Sequence, residues 1–429
     1  MKVLVVGSGG REHAIAWKIA QSPLLTKLYC APGNPGMAEV GECVKIPATA
    51  IGPLMTFAER EKIDLTVVGP EAPLAAGIVD AFREEGLLCF GPDRRAAELE
   101  SNKAFAKSLM KKHGIPTPAF KVFDTLDGAR DYIEKTEPPM VVKAYGLAQG
   151  KGVFVCQNRG EAFKAVDAIM REGVFGPAGD KLIIEDCMHG QEASILAITD
   201  GRTIVPLPSA QDHKRAFDRD MGPNTGGMGA YSPAPVITAE LSDRIEKEII
   251  IPTIHSMKRE ERPYCGVLYA GVMLTEDGPT VLEYNVRLGD PEAQPILMRL
   301  RSDLLAMLHA AAVGELEDAD VEWDARAAVC VVMASGGYPG KYEQGKVIEG
   351  LTDAAAMDDV MVFHAGTAIK NDKLVTAGGR VLGVTALGDD IRSAVNRAYE
   401  AVGKISFEGA HYRTDIARRA LRADQAGTF

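Results

Sequence analysis

Over the first hundred positions, apolar residues fall in short runs separated by stretches with helical spacing. Lys2–Val6 is a strand-like run that Gly7-Ser8-Gly9-Gly10 breaks at once. Arg11–Gln21 then places Ala14, Ile15, Trp17 and Ile19 at helical intervals. Further strand-like runs lie at Lys27–Cys30, Asp64–Val68 and Leu87–Phe90, with helical stretches near Pro53–Glu61 and Pro73–Glu85 between them. Strand and helix in alternation predict a doubly wound parallel sheet with helices on both faces, over about residues 1–102.

The pattern changes at Ser101-Asn102-Lys103. A helix is predicted to His113, where Gly114-Ile115-Pro116-Thr117-Pro118 ends it. Strands then outnumber helices: Pro139–Lys143, Val153–Cys156, Leu182–Glu185, Ala193–Thr199, Thr203–Pro206, Gly266–Leu274 and Pro279–Asn285, against helices at Arg159–Glu172 and Ala239–Met257. From Trp323 onward, strands at Ala327–Ala334, Val360–Ala365 and Arg380–Leu387 precede a helix at Asp390–Gly403. The chain is therefore expected to be multi-domain α/β, with parts at 1–102, 103–322 and 323–429. The last of these reads as α+β and rich in strands.

A length of 429 residues exceeds one ordinary core, and 46% hydrophobic with 25% charged residues is a globular mixture. No apolar run approaches the ~20 residues of a membrane span. The start, Met1-Lys2-Val3-Leu4-Val5-Val6-Gly7, is too short a run for a signal peptide and reads as a first buried strand. Seven scattered cysteines without a Cys-x-x-Cys pair argue against a zinc ribbon or disulfide framework, and for the reducing cytoplasm. A net charge of −11 excludes a globally basic surface for nucleic acid, so an anionic substrate needs a locally basic pocket.

The first glycine turn tests a dinucleotide site and fails it. Gly7 and Gly9 fit G-x-G-x-x-G, but the third position is Glu12, and Tyr29-Cys30-Ala31-Pro32-Gly33-Asn34 offers no carboxylate for a ribose. A turn opening a helix suits a single phosphate, with Arg11 as a clamp; equally, it is a tight turn that lets helix and strand pack. The run from Lys143 to Val153 is a strand ending on a lysine, then a glycine-rich loop holding Lys151 between Gly150 and Gly152, then a new strand. It reads as a cationic hairpin lid for a polyphosphate, against the plainer reading of a solvated hairpin. It is not a Walker loop, because Gly152 stands where Ser or Thr is required.

Leu182–Met188 is a strand ending in acids, so Glu185 can accept an adenine amino group, the Cys187 backbone can read the ring edge, and Glu192 can hold ribose hydroxyls. In Pro279–Arg287, alternation puts Glu283, Asn285 and Arg287 on one face and Leu282, Tyr284 and Val286 on the other. Two hard oxygen donors at that spacing suit magnesium bridging phosphates, with Arg287 placed to steady a transferring phosphoryl group. The charged turn Leu288-Gly289-Asp290-Pro291-Glu292 follows.

These segments, in this order, resemble the ATP-grasp superfamily, and within it the glycinamide ribonucleotide synthetase family. The likeness covers essentially the whole chain. It includes Gly9-Gly10-Arg11-Glu12-His13-Ala14, Gly69-Pro70-Glu71-Ala72-Pro73-Leu74, Gln211-Asp212-His213-Lys214-Arg215, Gly226-Gly227-Met228-Gly229, Arg287-Leu288-Gly289-Asp290-Pro291-Glu292 and Ser335-Gly336-Gly337-Tyr338-Pro339. The resemblance implies a Rossmann-like substrate domain, an ATP-grasp fold with a lid subdomain at about 120–190, and a C-terminal domain. It implies ligation of glycine to 5-phosphoribosylamine with ATP, through a glycyl phosphate, with Mg2+ or Mn2+, and a monomer is expected. It places ATP on Lys103, Lys143, Gly150, Lys151, Gly152, Glu185, Cys187 and Glu192, and metal on Glu283 and Asn285. Arg287 and Lys143 would be catalytic, and Gly9, Gly10, Arg11, Glu71, Asp212, Lys214, Asp290 and Glu292 would meet the other substrates. The chain departs from the family at Tyr145, usually Asp, at Gln149, usually Ala, and at Leu288, usually Phe. A different ATP-grasp ligase and a non-catalytic nucleotide-binding module are the competing readings.

Overall fold

A computed structural model describes residues 1–147 and 152–425. Its N-terminal sheet has five parallel strands in the order Glu42–Cys43, Lys27–Pro32, Lys2–Gly7, Leu65–Val68, Cys89–Phe90. The central strand is apolar throughout because both its faces are covered. Leu4 and Val6 pack with Phe57 and Phe82, while Val3 and Val5 pack with Ile15 and Ile19 on the other side. Strand order reverses beside Lys2–Gly7, and such a switch point opens a crevice at the strands' carboxyl ends. Gly7 and Gly69 leave neighbouring strands there, the Gly69 N–H bonding to the Val6 carbonyl at 3.0 Å. The helix expected at Pro73–Glu85 is two, Glu71–Ala75 and Ile78–Glu84, parted by Gly77 at φ 90°.

Two antiparallel sheets follow. The smaller has the order Phe120–Phe123, Leu182–Asp186, Met140–Ala144, Val153–Cys156. Ala129 and Ile133 of one helix and Ala162, Ala165 and Val166 of another close one face of it. The larger has the order Ile204–Pro206, Gln191–Thr199, Gly266–Thr275, Gly278–Asn285. Its last strand carries a bulge that corrects the sequence alternation. Gly271 pairs with Glu283 but Val272 pairs with Val281, so Leu282 is an extra residue. The bulge resets the parity of the strand: Val281, Tyr284 and Val286 enter one core, and Leu282 does not join it. Glu283, Asn285 and Arg287 are left facing the cleft, as the alternation required.

The C-terminal sheet has the order Gln211–Asp212, Gly229–Ser232, Ala327–Ala334, Arg380–Gly388, Val360–His364. Two of its five strands come from before residue 323, so the middle and last parts of the chain share a sheet. Helix Ile391–Val402 packs on it through Ala394, Ala398, Ala401 and Val402. No helix among the described residues is long and apolar enough to cross a membrane.

Arg413 pins the C-terminal segment to the hairpin that follows Lys214. Its fully buried guanidinium lies 2.7 Å from Asp415 and 2.9 Å from Asp220, and donates to the Arg215 carbonyl at 3.2 Å. Arg413→Ala would leave Asp415 without its cation and Asp220 with Arg419 alone, at a cost of about 3 kcal/mol, the low end for a buried pair because Asp220 is partly solvated and keeps a second partner. A drop of several degrees in thermal midpoint is expected; an unchanged midpoint would remove Arg413 from this role.

Candidate active site in the cleft between the central sheets

Asn102 caps the helix Lys103–His113, its side-chain oxygen accepting from Phe105 N at 2.8 Å. The helix points two lysines one turn apart toward the cleft floor. Lys103 donates from Nζ to the Gly146 carbonyl at 3.1 Å and from its backbone N–H to the Tyr145 carbonyl at 3.1 Å. Burial lowers its pKa, with Glu283 opposing the shift. Lys107, which sequence reasoning missed, lies 3.2 Å from Glu185 Oε1, and Lys143 lies 2.9 Å from Oε2. Burial, with Lys143 adding to it, pushes Lys107 down to about 8.

Glu185 joins the two lysines. Its side chain is only 1% exposed, with an ammonium group near each oxygen, and its Oε1 has no hydrogen-bond partner among the described residues. Cys187 lies half-buried just beyond the strand end. Glu192 pairs with Lys214 at 2.7 Å. The hairpin Met140–Ala144 to Val153–Cys156 is antiparallel as expected, and the Gly152 carbonyl accepts from Ala144 N at 2.8 Å. Gln149, Gly150 and Lys151 fall outside the described residues. Tyr145, in place of the usual Asp, sits under Lys181, whose Nζ is 5.9 Å from its ring centre.

On the opposite wall, burial raises the Glu283 carboxyl, but Lys214, Lys143, Lys103 and Arg287 together outweigh it and hold the group ionised below its ordinary range. Asn285 Oδ1 accepts from Arg287 at 3.0 Å. An ionised carboxylate and an amide oxygen two residues apart are hard donors of the kind magnesium takes. Among the described residues no group of three or more His, Cys, Asp or Glu could hold a metal. Arg287 contacts Glu100 at 2.9 Å and Glu71 at 3.4 Å. Glu100, also missed from sequence, accepts in addition from Val286 N at 2.8 Å, and burial raises its carboxyl against the pull of Arg287.

The glycine turn has partners within the protein. Gly9 N donates to Glu12 at 2.6 Å, and Arg11 pairs with the same carboxylate at 2.5 Å and donates to the Leu288 carbonyl at 3.1 Å. The Asp290 carboxylate takes the Arg11 backbone N–H, Gln294 at 2.9 Å and Arg380 at 3.3 Å. Two of the protein's own carboxylates thus meet the amides of Gly9 and Arg11. Glu292 is buried and accepts from Tyr269 at 2.7 Å and Ser194 at 3.2 Å. Burial pushes Asp212 up to about 7, with Lys214 opposing and Glu292 and Glu192 reinforcing. Of the missed residues, only Lys107 left a signal, four positions after Lys103 on one helix.

Two antiparallel sheets face each other across this cleft. One bears a lysine-ended hairpin; the other bears hard oxygen donors and a buried arginine. That arrangement defines an enzyme of the ATP-grasp class. The chain belongs to the phosphoribosylglycinamide synthetase family, whose N, ATP-grasp (A) and C domain models match residues 1–100, 101–293 and 328–419. The phosphoribosylamine–glycine ligase of Allochromatium vinosum is 53% identical over 99% of this chain and all of its own length, and that of Rhizobium meliloti is likewise 53% identical with the same coverage. The crystal structure of the Thermotoga maritima ligase superposes with a TM-score of 0.85 at 35% identity, covering 97% of this chain and all of that one. A biotin carboxylase from Campylobacter jejuni shares the fold alone, with a TM-score of 0.73 at 15% identity, over 96% of this chain and 92% of its own.

Asp212 gives a signed prediction. Its carboxyl rises from an ordinary 3.8 to about 7 on folding, so the folded state binds the proton more tightly. Its destabilising effect is absent at low pH, grows between about pH 4 and 7, and is complete above that. Asp212→Asn should therefore raise the thermal midpoint at pH 8 and not at pH 4, while slowing turnover. A midpoint at pH 8 equal to or below that of the parent chain would contradict a raised carboxyl.

Proposed function

We propose that this chain is a phosphoribosylamine–glycine ligase. It joins glycine to 5-phosphoribosylamine using ATP, and forms glycinamide ribonucleotide, ADP and phosphate through glycyl phosphate. The observation that carries this reading is the family match through all three parts of the chain, each of which also reaches the cleft: Glu71 from the first, Glu283 and Arg287 from the second, Arg380 from the third.

The chemistry needs no side-chain nucleophile; it needs alignment and charge neutralisation. Lys143 and Lys103 face the phosphates, with Gly152 at the hairpin beside them; the ATP roles read for Gly150 and Lys151 lie outside the described residues. Glu185 acts on the nucleotide through Lys143, the Cys187 backbone reads the adenine edge, and Glu192 meets the ribose. A divalent ion on Glu283 and Asn285, Mg2+ or Mn2+, supplies further neutralisation at the phosphates when bound. Arg287 steadies the γ-phosphoryl group and the glycine carboxylate. The carboxylates of Asp212 and Glu292, with Lys214 between charges, suit the amino end of glycine. Glu71 and Asp290 suit the hydroxyls and amine of the second substrate, with Gly9, Gly10 and Arg11 as the wall behind them. Closing the hairpin keeps water from the acyl phosphate. Seven free thiols suit a reducing cytoplasm, and the expected state is a monomer.

Phosphate release from ATP should require both glycine and phosphoribosylamine, and alanine or bicarbonate should not replace glycine. Release that depends on neither substrate, or on bicarbonate, would refute the assignment. Arg287→Ala should lower turnover about 100-fold or more, the scale of a lost charge-stabilising donor, and near-normal turnover would end that role. Glu283→Ala should raise the magnesium concentration needed for half-maximal rate; an unchanged titration would take Glu283 out of the site.

A further inference from the structure

We propose that Lys107 is a positioning residue that sets Lys143 and the lid sheet at a fixed spacing from the strand bearing Glu283 and Asn285. The proposal rests on the reading of the cleft as a nucleotide site and goes beyond it by assigning a residue that touches no substrate.

The geometry is a closed circuit. Lys107 Nζ donates to Thr117 Oγ1 at 2.7 Å, and Thr117 Oγ1 donates to the Val281 carbonyl at 3.0 Å. In the other direction Lys107 meets Glu185 at 3.2 Å, Glu185 meets Lys143 at 2.9 Å, and Lys143 Nζ donates to the Leu282 carbonyl at 3.1 Å. Both ends land on consecutive carbonyls of one strand, the second of them that of the bulged Leu282. Glu185 and Lys143 belong to the small sheet, while Val281 and Leu282 belong to the large one. Beyond the circuit, Val281 N donates to the Pro116 carbonyl at 2.8 Å.

Lys107 is 3% exposed, and a lysine is almost never so buried unless paired. Its ammonium feels a second cation, Lys143, with Glu185 as its ion-pair partner. A cation in that place is disfavoured by burial and by that neighbour. The geometric consequence is that Glu185 is tied between two ammonium groups, and Lys143 lies between Glu185 and the Leu282 carbonyl. The bulge takes part, because it presents the Leu282 carbonyl to Lys143 instead of burying that residue in the core. Without Lys107 the Glu185 carboxylate would follow Lys143 alone, and the small sheet would lose its tie through Thr117 to the large one.

The test uses the full chain and two variants, Lys107→Met and Thr117→Val. Thr117→Val breaks the circuit without removing a charge. ADP with magnesium is titrated calorimetrically, and phosphate release gives KM separately for ATP and glycine. For Lys107→Met we expect ADP affinity to fall and the ATP KM to rise about tenfold or more, with the glycine KM within about twofold, the pattern of a lost nucleotide-side interaction. Thr117→Val should move the ATP KM the same way by a smaller factor and leave the glycine KM alone. ADP affinity and ATP KM unchanged in Lys107→Met would overturn the proposal. So would equal losses toward ATP and glycine with a collapsed thermal midpoint, the mark of a merely structural lysine. If Lys107→Met does not fold, the ATP-against-glycine split in Thr117→Val decides. Wild-type chain that binds ADP but releases no phosphate would refute the proposed reaction, and the ADP titrations would still judge Lys107.

Discussion

A buried guanidinium holds the parts of this molecule in register. Arg287 meets Glu71 from the helix Glu71–Ala75, Glu100 from the helix Arg94–Ser101, and Asn285 from the large central sheet. Removing such a cation from water costs several kcal/mol unless acceptors surround it. Glu100 stands 187 residues before Arg287 and Glu71 earlier still, so the cation is compensated only when both parts have folded and docked. Burial lowers the affinity of Arg287 for its proton, and Glu100 and Glu71 outweigh that and keep it cationic. The same geometry that secures the docking presents a fixed positive charge to the cleft.

The parts of the fold read most reliably from sequence were those decided locally. The central strand Lys2–Gly7 is apolar at every inner position because both its faces are covered, and the helix Lys103–His113 carries its own cap in Asn102. Glu283, Asn285 and Arg287 were legible because the pleat alternates. What was not legible depended on partners distant in the chain. The bulge at Leu282 exists because Val281 must share a core with Tyr284, and alternation alone grouped Leu282 with that core. The strands Gln211–Asp212 and Gly229–Ser232 are short and pair with a sheet completed a hundred residues later.

The glycine turn shows why a motif need not identify its ligand. Glycines opening a helix do present free amides, and the physics of an anion site holds. The anions are supplied by Glu12, three residues into the same helix, and by Asp290 from the charged turn. A capping carboxylate at that position was visible in the sequence as the residue that broke the dinucleotide fingerprint.

Charge is divided along the cleft in a way the net value of −11 conceals. At the lid end Lys103, Lys107 and Lys143 gather around the single carboxylate of Glu185. At the other end Asp212, Glu192 and Glu283 surround Lys214, and Glu71 and Glu100 surround Arg287. The first end suits a polyphosphate and the second a neutral or cationic amine. The strand Gly278–Asn285 runs between them, and its Glu283 feels lysines from both sides. The cleft therefore carries a charge difference along its length that the net charge alone does not reveal.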